Sequence, residues 1–222
     1  DSGIGGLTVA REIMRNLPAE KIVYFGDTAR VPYGSKSRET IIGYSRQIIR
    51  FLKEQKVKAI VVACNTASAF ALDAVKDELD IPILGVIEAG ARVAAHETRN
   101  KRVGIIGTVG TVGSGIHASY LKELDPEITV IGKPCPLFVP LVEEGWRKDP
   151  VTEIVARRYL KEMQDEKVDT LILGGFQELE GLPDLALVGG VHVVAQQVLG
   201  NAEGVPGVAK HEDFAAVLLI PQ

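Results

Sequence analysis

The chain has 222 residues, a length that suits two domains of roughly 100 residues each. Apolar residues make up 46% and charged residues 24%, which argues against wholesale disorder, and a net charge of −4 with 5% aromatic residues argues against a nucleic-acid partner. No run approaches the ~18 uncharged apolar residues of a membrane helix, and the N-terminus shows no signal-peptide pattern.

The first half of the chain alternates strand-length apolar runs with helix-period segments. The run over 58–63 is continuous and β-branched, which is typical of a strand buried on both faces. Loop chemistry at Asp1-Ser2-Gly3, without a methionine, leads us to expect further residues before it. The predicted elements are a helix from about Leu7, a strand over 22–25, a helix capped by Ser37 and running to about Gln55, a strand over 58–63, a helix over 67–79 and a strand over 83–86.

The same alternation returns in the second half. The predicted elements are a strand over 103–106, a helix over 115–124, a strand over 128–131, helices over 137–145 and 152–164, and a strand over 170–173. Repeated strand–helix units with buried apolar strands predict an α/β fold with largely parallel sheets.

A weak internal repeat links the two halves. Residues 56–64 align with 167–175, and 22–26 align with 103–107. If the halves are related, equivalent strand ends share the site, because ligands of open α/β sheets bind beyond the carboxyl ends of strands. That site would collect Asp1-Ser2, Gly26-Asp27, Cys64-Asn65-Thr66, Thr108 and Gly175. The alternative explanation, that any two buried strands have similar sequences, stays open.

Cys64 is the candidate nucleophile or base, because it ends a buried strand directly before a helix. The unpaired N–H groups and positive dipole end of a helix N-terminus lower a thiol's pKa and attract carboxylates. Asn65 and Thr66 add side-chain donors at the same place. A buried free cysteine is more often structural, and the residues alone leave both interpretations open.

Other candidate positions carry weaker signals. The glycine-rich turn over 1–6 permits close backbone approach, but it is not a dinucleotide fingerprint. Thr108 and Thr111 could be helix caps or ligand donors, and Glu143 suits a solvated helix face. The four histidines have no metal-ligand spacing, and Cys135, between two prolines, suits a rigid structural turn. Two cysteines are too few for a disulfide framework, which favours a reducing cytoplasm.

Several strings resemble those of glutamate racemases, in order and with similar spacing, from Asp1 to about Gly174. The most specific are the runs around Asp1, Tyr33, Cys64 and Thr108. The matching segments are 1–8, 24–34, 62–69, 85–88, 106–108, 135–141 and 169–174.

The resemblance implies a fold and an activity. It implies two pseudo-symmetric α/β domains with the active site at their interface, the first discontinuous over 1–89 and 186–222 and the second over 90–185. It implies interconversion of L- and D-glutamate without pyridoxal phosphate, metal or nucleotide, so no cofactor is expected. The D-glutamate would feed peptidoglycan synthesis, and hence cell shape, in the bacterial cytoplasm. The family is often dimeric, and the expected partners are the small-molecule substrate and a second copy.

Two cysteines on opposite faces of the substrate Cα carry the family's reaction, one as thiolate and one as thiol. Inversion requires an acid on the far face of a planar carbanion-like intermediate. Carried over by position, Cys64 resembles the first thiol, Asp1 assists it, and Glu143 resembles an acidic residue that supports the second side. The resemblance implies substrate binding by Ser2, Tyr33, Gly34, Asn65, Thr66, Thr108 and Thr111.

The chain departs from the family directly after Gly174. The family continues with Cys-Thr-His, whereas this chain continues Gly175-Phe176-Gln177, so Gly175 stands where the second thiol should be. We therefore expect impaired racemisation. Three alternatives stay open: a racemase with an altered sequence after Gly174, a non-catalytic carboxylate-binding or regulatory protein of the same fold, and a single-thiol decarboxylase or isomerase.

Overall fold

The computed structural model describes residues 1–3 and 5–175 and the backbone of 192–194. These residues divide into two compact units, 1–89 and 90–175 with 192–194. Both units combine helices with sheets whose paired strands all run parallel among the described residues. The predicted α/β class with parallel sheets is confirmed. No helix of the described part is long and apolar enough to cross a membrane.

The first unit is built on one short parallel sheet. Strand β1 pairs with β2, with Ile60 opposite Ile83. Ser37 caps α2 by accepting a hydrogen bond from the Thr40 amide at 3.3 Å, as predicted. The elements are α1 (Leu7–Asn16), α2 (Arg38–Glu54), β1 (Ile60–Val62), α3 (Asn65–Val75), a 3₁₀ turn (Lys76–Glu78) and β2 (Ile83–Gly85).

The second unit has a four-stranded sheet in the order β4-β3-β5-β6. Helix α4 begins at the boundary between the units, and β3 and β5 pair through most of their length. The elements are α4 (Ile87–Glu97), β3 (Arg102–Gly107), α5 (Val109–Gly113), α6 (Ile116–Leu124), β4 (Thr129–Pro134), α7 (Phe138–Glu143), α8 (Pro150–Asp165), β5 (Thr170–Gly174) and β6 (His192–Val194).

Strands β3 and β5 are buried on both faces. Successive side chains of a strand point to opposite faces, and here they enter two separate apolar clusters. Ile105 and Ile172 pack in one cluster with Leu121 of α6. Ile106 and Leu171 pack in the other, which also contains side chains of α8. Because apolar side chains cover both faces of each strand, the sequence of each strand is a continuous apolar run.

Several predicted elements need correction. The predicted strand over 22–25 is not formed in the described structure, where backbone hydrogen bonds join Asp1 to Phe25 and Asp27 without continuing as a ladder. Helix α3 begins two residues earlier than predicted, at Asn65, because the Cys64 sulfur caps it. Helices α4 and α5 were not predicted, and the two glycines within five residues of α5 hid its pattern.

Residues 192–194, which the sequence prediction placed in the first domain with the rest of 186–222, pair with β5 and extend the sheet of the second unit. The remaining predicted domain bounds stay a prediction. Residues 176–191 and 195–222 lie outside the described part. The repeat gains support from the backbone, because Lys56 and Lys167 stand at aligned positions and share a left-handed φ of 57° and 54°.

Candidate active site

Cys64 lies between the end of β1 and the first turn of α3. Its backbone is extended, with φ −85° and ψ 125°, and its sulfur accepts a hydrogen bond from the Ala67 amide at 3.4 Å. The side chain is free and 8% exposed. Because the N–H groups of a helix's first turn face a capping atom, this geometry directs the positive end of the α3 dipole toward the sulfur. The predicted place of the thiol at a helix N-terminus is confirmed.

The turn at Asp1 is fixed by hydrogen bonds to the segment 24–27. The Asp27 amide donates to the Asp1 carbonyl at 2.9 Å, and the Tyr24 hydroxyl donates to the Gly3 carbonyl at 2.8 Å. Within the turn, the Gly3 amide donates to Asp1 Oδ1 at 2.8 Å. The Asp1 carboxylate is therefore held in one orientation by its own loop.

A glycine allows this carboxylate to approach the end of β1. A Cβ added at Gly6 would lie 2.7 Å from Asp1 Cβ and 2.9 Å from Ala63 Cβ, both too close for a side chain. Gly6 therefore lets Asp1 pack beside Ala63, which directly precedes Cys64. Asp1 and Cys64 are therefore neighbours in the first unit, and the catalytic role expected of Asp1 stays a prediction.

Tyr24 is a site residue that sequence reasoning missed. Burial, followed by the charge of Cys64, raises the pKa of Tyr24 to about 12. The phenol stays protonated near neutral pH, and its proton is directed to the Gly3 carbonyl. Tyr24 belongs to a string that matches glutamate racemases, but no pattern in the sequence indicates its contact with the Asp1 turn.

Tyr33 reaches the same neighbourhood from the loop before α2. Its ring is 4% exposed and packs in one apolar cluster with Cys64 and Ala67. Its hydroxyl donates to Asp27 Oδ2 at 2.5 Å, and burial together with this bond raises the pKa of Tyr33. The hydroxyl proton is thus engaged within the protein, and the substrate-binding roles of Tyr33 and Gly34 stay predictions.

Asn65 and Thr66 form the first turn of α3, and both are buried, at 4% and 3% exposure. They follow Cys64 directly, so the first unit gathers Asp1, Tyr33, Cys64, Asn65 and Thr66. Ser2 lies in the same turn as Asp1. Their roles in substrate binding stay predictions.

In the second unit, Thr108 and Gly175 follow neighbouring strands. Gly107 and Gly174 are register partners of β3 and β5, so the next residues emerge at the same sheet edge. Thr108 caps α5, accepting from the Thr111 amide at 3.1 Å, while its hydroxyl donates to that of Thr111 at 3.0 Å. Of the two interpretations open for Thr108, the structure supports the helix cap.

Gly175 brings a backbone conformation rather than a side chain to this edge. Its φ of 114° lies in a region that L side chains rarely adopt, and its amide donates to the Leu173 carbonyl at 3.0 Å. No thiol therefore stands at the position where the resemblance places the second catalytic cysteine. Glu143 ends α7 and is exposed, in keeping with a solvated helix face.

Cys135 has the properties of a structural cysteine. It is fully buried, and burial raises the pKa of its thiol to about 12, although Lys133 acts in the opposite direction. Its sulfur lies 3.4 Å from the Lys133 carbonyl. Among the residues the structure describes, no group of three or more His, Cys, Asp or Glu side chains could hold a metal.

The fold and site define a two-unit α/β protein with one helix-capping thiol beside a fixed carboxylate. Residues 5–196 match the model of the Asp/Glu/hydantoin racemase family. The chain belongs to this family.

Individual relatives agree with the family model. A glutamate racemase of Geobacter metallireducens is 55% identical over 174 residues, which are 78% of this chain and 64% of that protein. The structure of glutamate racemase RacE1 from Bacillus anthracis is similar with a TM-score of 0.84 and 40% identity, over 88% of this chain and 74% of that one. Glutamate racemase from Francisella tularensis, solved in complex with D-glutamate, gives a TM-score of 0.81 and 41% identity over the same shares. The chain thus spans 64% of the length of the Geobacter relative.

Proposed function

We propose that this chain binds glutamate and transfers the proton at its Cα, the chemistry of glutamate racemases, without pyridoxal phosphate, metal or nucleotide. The observation that carries the proposal is the Cys64 sulfur at the N-terminus of α3, with Asp1 held beside it. The D-glutamate bound in the Francisella relative supports this substrate. D-Glutamate formed in this way would supply peptidoglycan synthesis, and so cell shape, in the cytoplasm, and a homodimer is the expected assembly.

In this proposal, Cys64 acts as the base on one face of the substrate. Its thiolate takes the Cα proton, leaving a thiol and a carbanion-like intermediate whose charge spreads into the adjacent carboxylate. The first turn of α3, with Asn65 and Thr66, provides donors for that carboxylate. In D₂O the thiol exchanges its proton for deuterium and returns deuterium to the same face.

Gly175 limits the outcome of this chemistry. Inversion needs an acid on the opposite face, and a glycine offers none there. A missing general acid costs about 10²–10⁴-fold in rate. Glu143 remains a proposed supporting residue of that second side, and Thr108 and Thr111 remain proposed substrate donors.

Proton exchange at Cα tests the proposal. The protein is incubated with L-glutamate and, separately, D-glutamate in D₂O, and deuterium incorporation and optical rotation are followed together. We expect deuterium to enter one enantiomer while its configuration is retained. Full racemisation would mean that an unidentified acid replaces the second thiol. Exchange with neither enantiomer would contradict proton transfer by Cys64.

Binding without turnover is the second candidate function, and the loss of a side chain at Gly175 favours it. Calorimetric titration with D-glutamate separates the two. Heat of binding without Cα exchange would identify a carboxylate-binding or regulatory protein of this fold.

A further inference from the structure

Arg30 is linked to the candidate site through a buried carboxylate. Its guanidinium lies against both oxygens of Asp27, with Nε 2.9 Å from Oδ1 and 2.7 Å from Oδ2. The Asp27 side chain is 4% exposed, whereas that of Arg30 is 27% exposed. A deeply buried carboxylate needs a cation and hydrogen-bond donors to compensate for its lost hydration, and Arg30 supplies the cation here.

The same carboxylate holds Tyr33. The Tyr33 hydroxyl donates to Asp27 Oδ2 at 2.5 Å, a bond that is strong because its acceptor is charged. Asp27 Oδ2 is also the oxygen that lies 2.7 Å from Arg30 Nε. The position of the Tyr33 hydroxyl therefore depends on the Asp27 carboxylate, which Arg30 holds in place.

Two further contacts fix the guanidinium itself. Arg30 Nη1 donates to Gln47 Oε1 at 2.7 Å, and Arg30 Cζ lies 4.3 Å from the ring centroid of Tyr44. The Tyr44 ring is also a neighbour of Tyr33, with centroids 5.8 Å apart. Asp27, Arg30, Tyr33 and Tyr44 thus form a closed ring of contacts, which we call the Arg30 latch.

We propose that Arg30 is a positioning residue that, through Asp27, holds Tyr33 and the adjacent Gly34 in the geometry required for binding the substrate. The inference rests on the proposed function, because that function assigns substrate binding to the loop of Tyr33. Arg30 acts at a distance from the reaction, so it affects affinity and leaves proton transfer by Cys64 intact. Lysine cannot replace it fully, because a point charge lacks the planar fork that contacts Asp27, Gln47 and Tyr44 together.

The structural arm of the test observes the Tyr33 hydroxyl directly. A hydroxyl proton shared with a buried carboxylate exchanges slowly and gives a downfield proton resonance, which Y33F assigns by its loss. We expect the resonance to disappear in R30M and in D27N and to persist in R30K. The control is R50M, which removes an exposed arginine from α2. Persistence of the resonance in R30M and D27N would overturn the latch.

The functional arm separates affinity from chemistry. We expect the Kd for D-glutamate to rise about 10-fold in R30M and less in R30K, while Cα exchange at saturating D-glutamate stays within about 3-fold of the unmodified protein. A fall in saturated exchange with unchanged Kd would contradict a positioning role. Failure of the unmodified protein to bind D-glutamate would contradict the proposed function, whereas the hydroxyl resonance decides the latch independently.

Discussion

The two cysteines place the same side chain in opposite environments. Cys64 caps a helix and keeps 8% of its surface exposed, whereas Cys135 is fully buried and its pKa is raised to about 12. Only the thiolate is reactive, and it must also be accessible. Cys64 is therefore suited to proton transfer, whereas Cys135 is suited to packing in the core.

Alkylation should reveal this difference. In the folded protein at pH 7–9, we expect iodoacetamide to modify Cys64 at least about 10-fold faster than Cys135, because Cys135 remains a buried neutral thiol below a pKa of about 12. Peptide mass spectrometry after timed quenching measures both sites. Labelling in urea, where both thiols are solvated, is the control and should proceed at similar rates. Equal rates in the folded protein would disprove the assignment.

The backbone conformation of Gly175 would be strained for a cysteine introduced at this position. At φ 114° a Cβ is strained, and residues held in such regions cost about 1–3 kcal/mol each. We expect G175A and G175C to lower the free energy of unfolding in urea by the same amount, within that range. The alanine variant is the matched control, since the strain arises from Cβ and not from sulfur. Unchanged stability of G175A would show that the backbone relaxes freely.

At the scale of elements, Asp169 joins the start of β5 to the loop between α4 and β3. Its carboxylate accepts from the Thr98 hydroxyl and from the amides of Arg99 and Asn100, each at 2.7 Å. Partial burial acts to raise the pKa of Asp169, but these hydrogen bonds outweigh it, and the pKa is lowered. The Asp169 side chain thus holds the start of β5 to the loop that precedes β3.

We expect D169N to lower the free energy of unfolding by about 1–3 kcal/mol at pH 7, because three donors lose a charged acceptor. A lowered pKa stabilises the folded state above the unfolded value of about 3.9 and stops doing so as pH falls through the folded value. The difference between D169N and the unmodified protein should therefore shrink below about pH 4. Urea titrations at several pH values measure it. D165N, on an exposed ion pair of α8, should change stability by less than about 0.5 kcal/mol.

Elements with an apolar period were predictable, and those set by distant contacts were not. The continuous burial of β3 and β5 was predictable from the apolar runs over 103–106 and 170–173, and Ser37 correctly predicted the start of α2. Residues 22–25 have the composition of a strand, but their backbone partners decide the outcome, and composition does not reveal partners.

The candidate site was predictable where its residues follow strands directly. Cys64 and Thr108 directly follow predicted strands, and this position marked both as candidates, although helix α5 after Thr108 was not predicted. Tyr24 and Arg30 were missed because their roles arise from hydrogen bonds across the fold, to Gly3 and to the buried charge of Asp27. Such side-chain contacts leave no periodicity in the sequence.

At the scale of the whole molecule, the two units contribute different numbers of reactive side chains to the candidate chemistry. The first carries the thiol, the fixed Asp1 turn and the Arg30 latch, whereas the second presents the Thr108 cap and a glycine at the matching strand ends. If both halves descend from one repeat, the first has kept its reactive group and the second has not. Binding and turnover should therefore be separable in this chain.

A thermal-shift comparison tests that separation. A ligand that binds only the folded state at 100 times its Kd adds about 2.7 kcal/mol of stability. For a chain of this size we expect Tm to rise by about 5–10 °C with D-glutamate, since each kcal/mol shifts Tm by about 2–4 °C. C64A should keep most of this shift while losing Cα exchange, because the donors of α3 remain. D-Lysine, which lacks the second carboxylate, is the control and should leave Tm unchanged. Loss of both the shift and exchange in C64A would mean that binding itself depends on the Cys64 thiol, so that binding and turnover cannot be separated at this residue.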